Sequence, residues 1–376
     1  MSDGIASAKE RLVSADGATG RLTIDLSALA RNYTNLCARV APARAGAVVK
    51  ANAYGLGVER VALTLYDSGC RHFFVAQFSE AAKLRPLLSK NAQIFVLNGL
   101  QPGDEIACAE HGIVPVVNSL QQWQRWSGIA KLLGRSLPTV LQFDTGMSRL
   151  GIPVEECNAM AAELSAQNNI EVLFLMSHLA SADEVDNQQN NAQFVAMKRI
   201  ADQFPGFEMC LANSAGIFLG KDYHGVLTRP GIALYGGAPT AGKSNPMEPV
   251  VSLEVAVVQT RTVPVGSRIG YAGAYVAKTE IRVATIAAGY ADGLPRSLSG
   301  RGAVFFMGTR LPITGRVSMD SLTVDITPLP EKTLSLGSFV EVLGPNQSLE
   351  DLARDAGTIS YEILTRLGDR YTKLYR

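Results

Sequence analysis

The sequence predicts an α/β plus β architecture, with an N-terminal (β/α)8 TIM-type barrel followed by a C-terminal antiparallel β domain. The length of 376 residues suits a barrel of about 250 residues with a smaller domain attached. From Leu22 to about Gly237, short apolar runs alternate with helical patterns, which indicates parallel strands joined by helices. From Met247 onward, apolar and polar residues alternate with a period of two, which is typical of antiparallel strands. We therefore expect a flexible tail at 1–20, a barrel at 21–240 and a β domain at 241–376.

The composition argues against nucleic acid and membranes as partners. A net charge of +1 leaves no electrostatic footprint for nucleic acid. The longest apolar stretches, such as residues 172–176, are far too short to span a bilayer, and the first 20 residues lack the apolar core of a signal peptide. The scattered cysteines have no metal-binding spacing and predict reduced thiols in the cytoplasm, with no metal site: Cys37, Cys70, Cys108, Cys157 and Cys210.

The barrel pattern opens with a helix and continues with eight strand candidates. Ser27 is a candidate N-cap for the helix. Its apolar face steps by four, three and four residues through Leu29, Tyr33, Leu36 and Val40. The strand candidates are 45–49, 72–76, 93–97, 113–117, 138–143, 171–177, 208–212 and 225–228. Eight strand–helix units predict a closed barrel, and an open doubly wound sheet is the alternative.

A polar residue follows each of these eight apolar runs. Active sites of barrel enzymes lie at the carboxyl ends of the strands, so these side chains would share one rim. They are Lys50, Gln77, Asn98, Asn118, Asp144, His178, Asn213 and Arg229. The combination of lysine, aspartate, histidine and arginine on one rim favours a catalytic site over a set of ordinary loop residues.

Lys50 is the most informative member of this rim. It follows the buried run Ala47-Val48-Val49 and precedes a loop punctuated by Gly55 and Gly57. An amine at the end of a buried strand can be desolvated, lose its proton and form a Schiff base with an aldehyde cofactor. By itself, however, such a lysine more often marks a solvated strand end, so the rest of the sequence must decide between the two.

The C-terminal part is predicted to contain several antiparallel strands and two helices. The strand candidates are 251–258, 282–286, 303–307, 322–326 and 339–343. Gly and Pro separate them at short intervals. One helix follows Ser348 and another follows Ser360. The segment Pro239–Pro249, rich in Pro, Gly and Ser, is the expected linker.

Four segments together resemble alanine racemases over nearly the whole chain, from about Leu22 to the C-terminus. They are the Lys50 segment AVVKANAYGLG, the segment DTGMSRLG from Asp144, RPGIALYG from Arg229, and GRVSMD from Gly315. The resemblance implies a barrel that binds pyridoxal 5′-phosphate (PLP), a β domain and a homodimer whose active sites form between subunits. It also implies interconversion of L-alanine and D-alanine, with D-alanine supplied for peptidoglycan.

The resemblance implies two catalytic bases, Lys50 and Tyr271. Racemisation removes the Cα proton and returns one to the opposite face, and PLP stabilises the carbanion. Lys50 would anchor the cofactor and then serve as one base. Tyr271 would be the other, supplied by the β domain of the second subunit. A free tyrosine has a pKa of about 10, so Tyr271 needs an electropositive setting, for which His178 and Arg229 are candidates.

The remaining site residues are assigned in the same way. Ser214 and Gly231 follow strands 7 and 8, the positions that often hold phosphate in barrels. Arg229 would face the ring nitrogen of the cofactor, and its permanent charge would leave that nitrogen unprotonated. Arg149 and the Met319 backbone N–H would bind the substrate carboxylate, with Asp320 supporting them. The further cofactor-binding residues implied are Tyr54, His178, Asn213, Ile232 and Tyr361.

Two positions depart from the family pattern. Gln142 stands where many members have a carbamylated lysine that orients the substrate arginine, and Leu56 stands where histidine is frequent. Glutamine cannot be carbamylated. Either the Gln142 side-chain oxygen or a bound anion such as chloride is then predicted to orient Arg149, and bromide density beside Arg149 tests the second version.

Three other functions fit parts of the same pattern. A racemase acting on serine or a wider set of amino acids differs only in its pocket lining. A non-catalytic PLP-binding barrel would lack the β domain that carries Tyr271 and Met319. A PLP-dependent decarboxylase with the same two-domain plan would lack this tyrosine arrangement and would favour a larger, charged substrate.

Overall fold

The computed structural model describes residues 19–376, which form two compact units. One unit comprises Leu26–Glu248, and the other combines Pro249–Arg376 with the described residues up to Asp25. The tail expected at 1–20 lies outside the described residues except for its last two positions. Of these, Gly20 already belongs to a strand.

The first strand, β1 (Gly20–Ile24), belongs to the β unit. It pairs antiparallel with residues 251–255 and parallel with residues 372–375. The assignment of residues 21–25 to the barrel is therefore wrong. A short apolar strand has the same local pattern in either kind of sheet, and its partners lie more than 200 positions away, where no local pattern reveals them.

The barrel strands follow in chain order. They are β2 (Arg44–Ala45), β3 (Ala47–Val48), β4 (His72–Val75), β5 (Gln93–Val96), β6 (Val114–Val117), β7 (Leu137–Gln142), β8 (Ile170–Met176), β9 (Met209–Cys210) and β10 (Leu227–Thr228). Strands β2 and β3 form one barrel strand that is interrupted at Gly46, so the eight predicted strand positions are confirmed.

Parallel pairing closes these strands into a barrel. Strands β3 to β9 pair in sequence order, and β10 pairs with β2. The Val226 N–H donates to the Met209 carbonyl at 2.8 Å, and the Arg229 N–H donates to the Ala212 carbonyl at 2.9 Å, which joins β10 to the β9 segment. The ring of eight is thus complete, and the open doubly wound alternative is excluded.

The helices of this unit are α1 (Leu26–Val40), α2 (Val58–Asp67), α3 (Phe78–Leu84), α4 (Glu105–Glu110), α5 (Leu120–Leu133), α6 (Cys157–Ser165) and α7 (Gln188–Gln203). The predicted apolar face of α1 is buried throughout. The N-cap prediction is wrong, because α1 begins at Leu26 and already contains Ser27. Asp25 precedes the helix, and aspartate is as favoured at that position as serine.

Packing between strands and helices shows which strand residues face outward and which face the barrel interior. Leu141 and Leu175 pack in one buried cluster with Trp123 and Met197 from the helices. Successive side chains of a strand point to opposite faces of the sheet. The neighbour of Leu141, Gln142, therefore faces the interior of the barrel near its carboxyl end.

The described residues of the β unit form nine further strands and two α-helices. The strands are β11 (Val251–Val263), β12 (Arg268–Ile269), β13 (Tyr275–Val276), β14 (Ile281–Ile286), β15 (Ala303–Phe306), β16 (Thr309–Thr314), β17 (Leu322–Asp325), β18 (Phe339–Leu343) and β19 (Thr372–Tyr375). The helices are α8 (Leu349–Ala356), capped by Ser348 as predicted, and α9 (Ser360–Arg366).

The long strand β11 closes most of this sheet on itself. Its first half pairs with β1 and β18, and its second half pairs with β14. The order β14-β17-β16-β15-β18-β11 then returns to β14. All of these pairs are antiparallel, which confirms the predicted type of domain. Within residues 19–376, no helix is both long and apolar enough to cross a membrane.

We predict that Gly225, at the closure of the barrel, does not tolerate a side chain. It has a φ of 62°, and a Cβ there would overlap the Met209 carbonyl oxygen. Gly112 has nearly the same φ of 63° but open space around it. Gly112→Ala should therefore cost only the left-handed backbone penalty of about 1–2 kcal/mol. Gly225→Ala should cost about 1–3 kcal/mol more. Equal urea unfolding midpoints for the two variants would contradict this.

Candidate active site

The parallel pairing places the polar strand-end residues at one end of the barrel, and four cationic or basic groups come together there. The charges of Lys50, Arg149 and Arg229 all act on the imidazole of His178. The Arg149 charge also lowers the pKa of the Lys50 amine. Among the described residues, Glu80 is the one carboxylate whose charge raises the pKa of Lys50. The site therefore carries an excess of positive charge.

Arg229 is buried and bonds only to neutral acceptors. Its Nη1 donates to the Cys210 carbonyl at 3.0 Å and to Cys210 Sγ at 2.9 Å. Its Nη2 donates to the carbonyls of Ser177 at 2.7 Å and Leu211 at 3.2 Å. Within residues 19–376, no carboxylate pairs with this guanidinium. Its charge is thus available to an anion or to an electron-rich ring atom.

His178 is held neutral beside this guanidinium. Burial lowers the pKa of His178 to about 3, and the charges of Arg229, Arg149 and Lys50 act in the same direction. Arg229 Nη2 lies 3.4 Å from His178 Nδ1. Because a guanidinium has no acceptor, Nδ1 must be the unprotonated nitrogen. The proton of the neutral ring is then on Nε2, which can donate a hydrogen bond.

Lys50 lies two residues after the end of the first barrel strand at Val48. Burial lowers the pKa of its amine, and the Arg149 guanidinium lowers it further, whereas the Glu80 carboxylate acts in the opposite direction. The amine is therefore more easily deprotonated than a solvated lysine, and a neutral amine is the form that attacks an aldehyde. Of the two alternatives that the sequence leaves open for Lys50, this direction favours the desolvated amine over a solvated strand end.

The chain turns sharply after Lys50 and brings Tyr54 over the strand ends. The Tyr54 ring packs on that of Tyr235, with ring centroids 4.7 Å apart. The Tyr235 hydroxyl in turn donates to the Val48 carbonyl at 2.9 Å. Tyr235 was not identified from the sequence, because a tyrosine in an Ala-Leu-Tyr-Gly run looks like an ordinary core residue.

Ser214, Gly231 and Tyr54 form a small polar cradle. Ser214 Oγ accepts hydrogen bonds from the N–H groups of Gly231 at 2.8 Å and Ala233 at 3.3 Å. The Gly231 N–H is therefore bonded to Ser214, which leaves the Ser214 hydroxyl proton to donate elsewhere. A Cβ on Gly231 would overlap the Tyr54 hydroxyl, so only glycine allows this approach.

Two other predicted cofactor residues have structural partners. Asn213 Oδ1 accepts from the Gly216 N–H at 2.9 Å, and Asn213 Nδ2 donates to the Leu179 carbonyl at 3.2 Å. Ile232 is buried, and its carbonyl accepts from the Tyr235 N–H at 3.1 Å. Both residues shape the loops around the cradle.

Arg149 is exposed at the end of a loop that Asp144 organises. One oxygen of Asp144 accepts from the N–H groups of Gly146 at 2.8 Å, Met147 at 3.0 Å and Ser148 at 3.1 Å. The Asp144 carboxylate thus serves as a turn cap. Gln142 is buried, yet its side chain makes no hydrogen bond with any residue of 19–376. The predicted hydrogen bond from Arg149 to Gln142 is therefore not formed in this structure.

In the β unit, Tyr271 and Met319 are both exposed. Tyr271 begins the turn Tyr271–Gly273 between β12 and β13, and 70% of its surface is accessible. Met319 is 52% exposed, and its carbonyl accepts from the Ala291 N–H at 3.0 Å. Tyr361 lies on α9 and is 41% exposed.

An ion-pair network fixes the Met319 loop within the β unit. Arg370 Nη1 lies 2.7 Å from Asp320 Oδ1, and Arg370 Nε lies 3.3 Å from Asp292 Oδ1. Asp292 is buried and accepts from the Gly289 N–H at 2.9 Å. A Cβ on Gly289 would overlap the Met319 carbonyl oxygen, so the two loops are in close contact. The Met319 backbone is consequently in close contact with the segment that follows Gly289.

The carboxyl-end rim of this barrel carries a lysine whose pKa is lowered, cations without carboxylate partners and a cradle of hydroxyl groups. These features are those of enzymes that bind an anionic cofactor. Comparison with known proteins gives the family. The model of the alanine racemase N-terminal domain matches residues 24–239, and that of the alanine racemase C-terminal domain matches residues 250–375. The chain belongs to the alanine racemase family.

Individual relatives agree with this assignment. A protein named "Alanine racemase, catabolic" from Rhizobium johnstonii is 68% identical over 375 residues, which is 100% of both chains. An alanine racemase from Brucella canis is 52% identical over 95% of this chain and 94% of its own. The crystal structure of the alanine racemase from Bartonella henselae, with covalently bound pyridoxal phosphate, has a TM-score of 0.92 and 42% identity, covering 96% of this chain and 100% of that one.

We predict that His178 stays neutral throughout the pH range in which the enzyme is handled. Its pKa of about 3 places its titration well below that of a free histidine at about 6.5. In the apoenzyme, the imidazole resonances of His178, assigned with a His178→Gln variant, should therefore not move between pH 5 and pH 8. A midpoint between pH 6 and pH 7 would show that neither burial nor the neighbouring cations hold this ring neutral.

Proposed function

We propose that this chain is a PLP-dependent alanine racemase that interconverts L-alanine and D-alanine by a two-base mechanism. The observation that carries the proposal is the Lys50 amine, desolvated and placed among Arg149, His178 and Arg229. An anionic cofactor and an anionic substrate are both attracted to such a site.

The residues present fit the cofactor. Ser214 has a hydroxyl proton to donate, and Tyr54 reaches the same cradle because Gly231 leaves room for it. These two side chains would hold the phosphate, with Tyr361 as a further hydroxyl. Arg229 would donate to the ring nitrogen, since its buried guanidinium has only neutral partners. His178, held neutral beside Arg229, would donate through Nε2. When bound, the cofactor supplies the electron sink that makes the Cα proton removable.

Proton transfer then requires a base on each face of the substrate carbon. Burial and the Arg149 charge lower the pKa of Lys50, which favours the neutral amine that can accept a proton at Nζ. Tyr271 is the proposed partner, exchanging a proton at its hydroxyl oxygen. A group that exchanges protons with carbon needs a site shielded from water. Tyr271 is 70% exposed in the single chain, which favours a second subunit covering it in a homodimer.

The substrate carboxylate would be bound by Arg149 and by the Met319 N–H. A guanidinium suits a carboxylate because it offers two parallel donors. The ion pairs of Asp320 and Asp292 with Arg370 support the second donor, because they fix the loop that carries it. Gln142, buried without a side-chain partner among residues 19–376, has an amide available to an anion beside Arg149.

The biological direction of the reaction is a separate proposal. Two relatives, at 68% and 57% identity, carry the word "catabolic" in their names, which favours the breakdown of alanine over the predicted supply of D-alanine for peptidoglycan. A bacterial cytoplasmic location accords with the five free cysteines. Deletion of the gene separates the roles: loss of growth on alanine supports breakdown, and a D-alanine requirement supports wall synthesis.

We predict that the enzyme introduces solvent deuterium at Cα of alanine. Incubation with L-alanine in deuterated water should give D-alanine that carries deuterium at Cα, detected by mass spectrometry and chiral chromatography. Tyr271→Phe should bind the cofactor normally and lose racemisation, because one face has no base. Release of CO₂, or alanine without exchange, would refute the racemase proposal. Full activity of Tyr271→Phe would refute the two-base assignment alone.

We also predict complementation between two inactive chains. A Lys50→Ala chain and a Tyr271→Phe chain should each be inactive alone. A mixed dimer contains one site with both intact residues if each site combines Lys50 of one subunit with Tyr271 of the other, and it should have roughly half of the wild-type activity. Differently tagged chains allow the mixed dimer to be purified. No activity in that species would contradict shared sites.

A further inference from the structure

The backbone that follows Lys50 is left-handed over four residues. Ala51, Asn52, Ala53 and Tyr54 have φ values of 53°, 55°, 54° and 56°. Each L-residue in this conformation costs about 1–2 kcal/mol relative to the right-handed helix. Such strain persists only where the surrounding structure enforces it. The contacts of this turn therefore decide where the Lys50 amine is held.

The contact that fixes the start of the turn comes from Glu80. Its Oε1 accepts from the Ala51 N–H at 2.6 Å. Its Oε2 accepts from the N–H groups of Ala76 at 2.8 Å and Gln77 at 3.2 Å. A single carboxylate thus joins the residue after Lys50 to the end of strand β4 and the start of helix α3.

Helix capping accounts for only part of this arrangement. A glutamate at the third position of a helix commonly accepts from the backbone just before the helix, as Glu80 does with Gln77. The Ala51 contact spans 29 positions and contributes nothing to the cap of α3. It is also the shortest of the three contacts, and a carboxylate is a stronger acceptor than a neutral group.

Glu80 is also the acidic group that faces the Lys50 amine. The described charged or titratable groups that interact with this amine are Arg149, His178 and Glu80. Arg149 disfavours the ammonium form, and Glu80 favours it. The same carboxylate therefore bonds to the backbone of this segment and favours the protonated form of the Lys50 amine.

We propose that Glu80 is a positioning residue for Lys50, because its carboxylate holds the Ala51 N–H and so locks the left-handed turn that keeps the Lys50 amine beside Arg149 and His178. The proposal deepens the proposed function, since it rests on Lys50 as the cofactor lysine. Glu80 acts through the backbone of Ala51 and through its charge on the Lys50 amine, and it has no bond to make or break in the reaction.

Amide hydrogen exchange in the apoenzyme tests the backbone part of the proposal. Glu80→Ala should make the Ala51 amide exchange about tenfold faster or more, because a charge-assisted hydrogen bond is lost. Glu80→Gln, a milder change that keeps one acceptor oxygen, should give a several-fold increase and serves if the alanine variant does not fold. The matched control is Glu59→Gln, which removes an exposed glutamate from the first turn of α2. Ala51 exchange that is the same in Glu80→Gln and Glu59→Gln would overturn the proposal.

The reactivity of Lys50 provides a second readout that a purely capping role would not change. Reductive methylation of the apoenzyme across a pH series gives the apparent pKa of Lys50 by peptide mass spectrometry. Removal of the negative charge in Glu80→Gln should lower this pKa, whereas Glu59→Gln should leave it unchanged. An unchanged pKa in Glu80→Gln would overturn the proposal. Neither readout requires the cofactor, so these results stand even if Lys50 is found not to bind PLP.

Discussion

The central physical constraint of the barrel unit is the burial of the Arg229 guanidinium without a counter-ion. Its donors bond to carbonyls at the ends of two neighbouring strand segments, Ser177 and Cys210–Leu211, and thereby hold the carboxyl-end rim in one arrangement. Burying an uncompensated charge is costly, so it is tolerated where a ligand or a function requires it. Burial, with the Arg229 charge acting in the same direction, keeps His178 neutral and leaves an Nε2 proton to donate. The same positive field makes the site receptive to a phosphate and a carboxylate.

Much of this site could be predicted from the order of strands, because parallel strands must bring their ends together. Lys50, His178, Asn213 and Arg229 follow strands whose positions the apolar runs mark clearly. The details that depend on distant pairing could not be predicted. Strand β1 has the local pattern of a barrel strand, and only its partners, 251–255 and 372–375, place it in the β unit. Strand β16 contains Pro312, which argues against a strand when only the sequence is considered.

The roles of individual polar atoms were the least predictable part. Gly231 was expected at a phosphate site, but its N–H is bonded to Ser214, so the serine hydroxyl proton becomes the available donor. Asp144 has the appearance of a catalytic carboxylate at a strand end, but it caps a turn. Glu80 has the sequence signal of an ordinary helix-capping residue, whereas its second oxygen holds the backbone after Lys50. In each case the sequence identified the correct region. Only the hydrogen-bond geometry distinguished residues that hold the backbone from residues that are available to a ligand.

The central claim is that Lys50 holds the cofactor, and borohydride reduction of the loaded enzyme tests it most directly. Reduction makes the lysine–cofactor linkage permanent, after which proteolysis and mass spectrometry locate the phosphopyridoxyl group. Because burial and Arg149 both lower the pKa of the Lys50 amine, we predict a single labelled peptide that contains Lys50. Label on any other lysine, or no label on a protein that binds the cofactor tightly, would contradict the account.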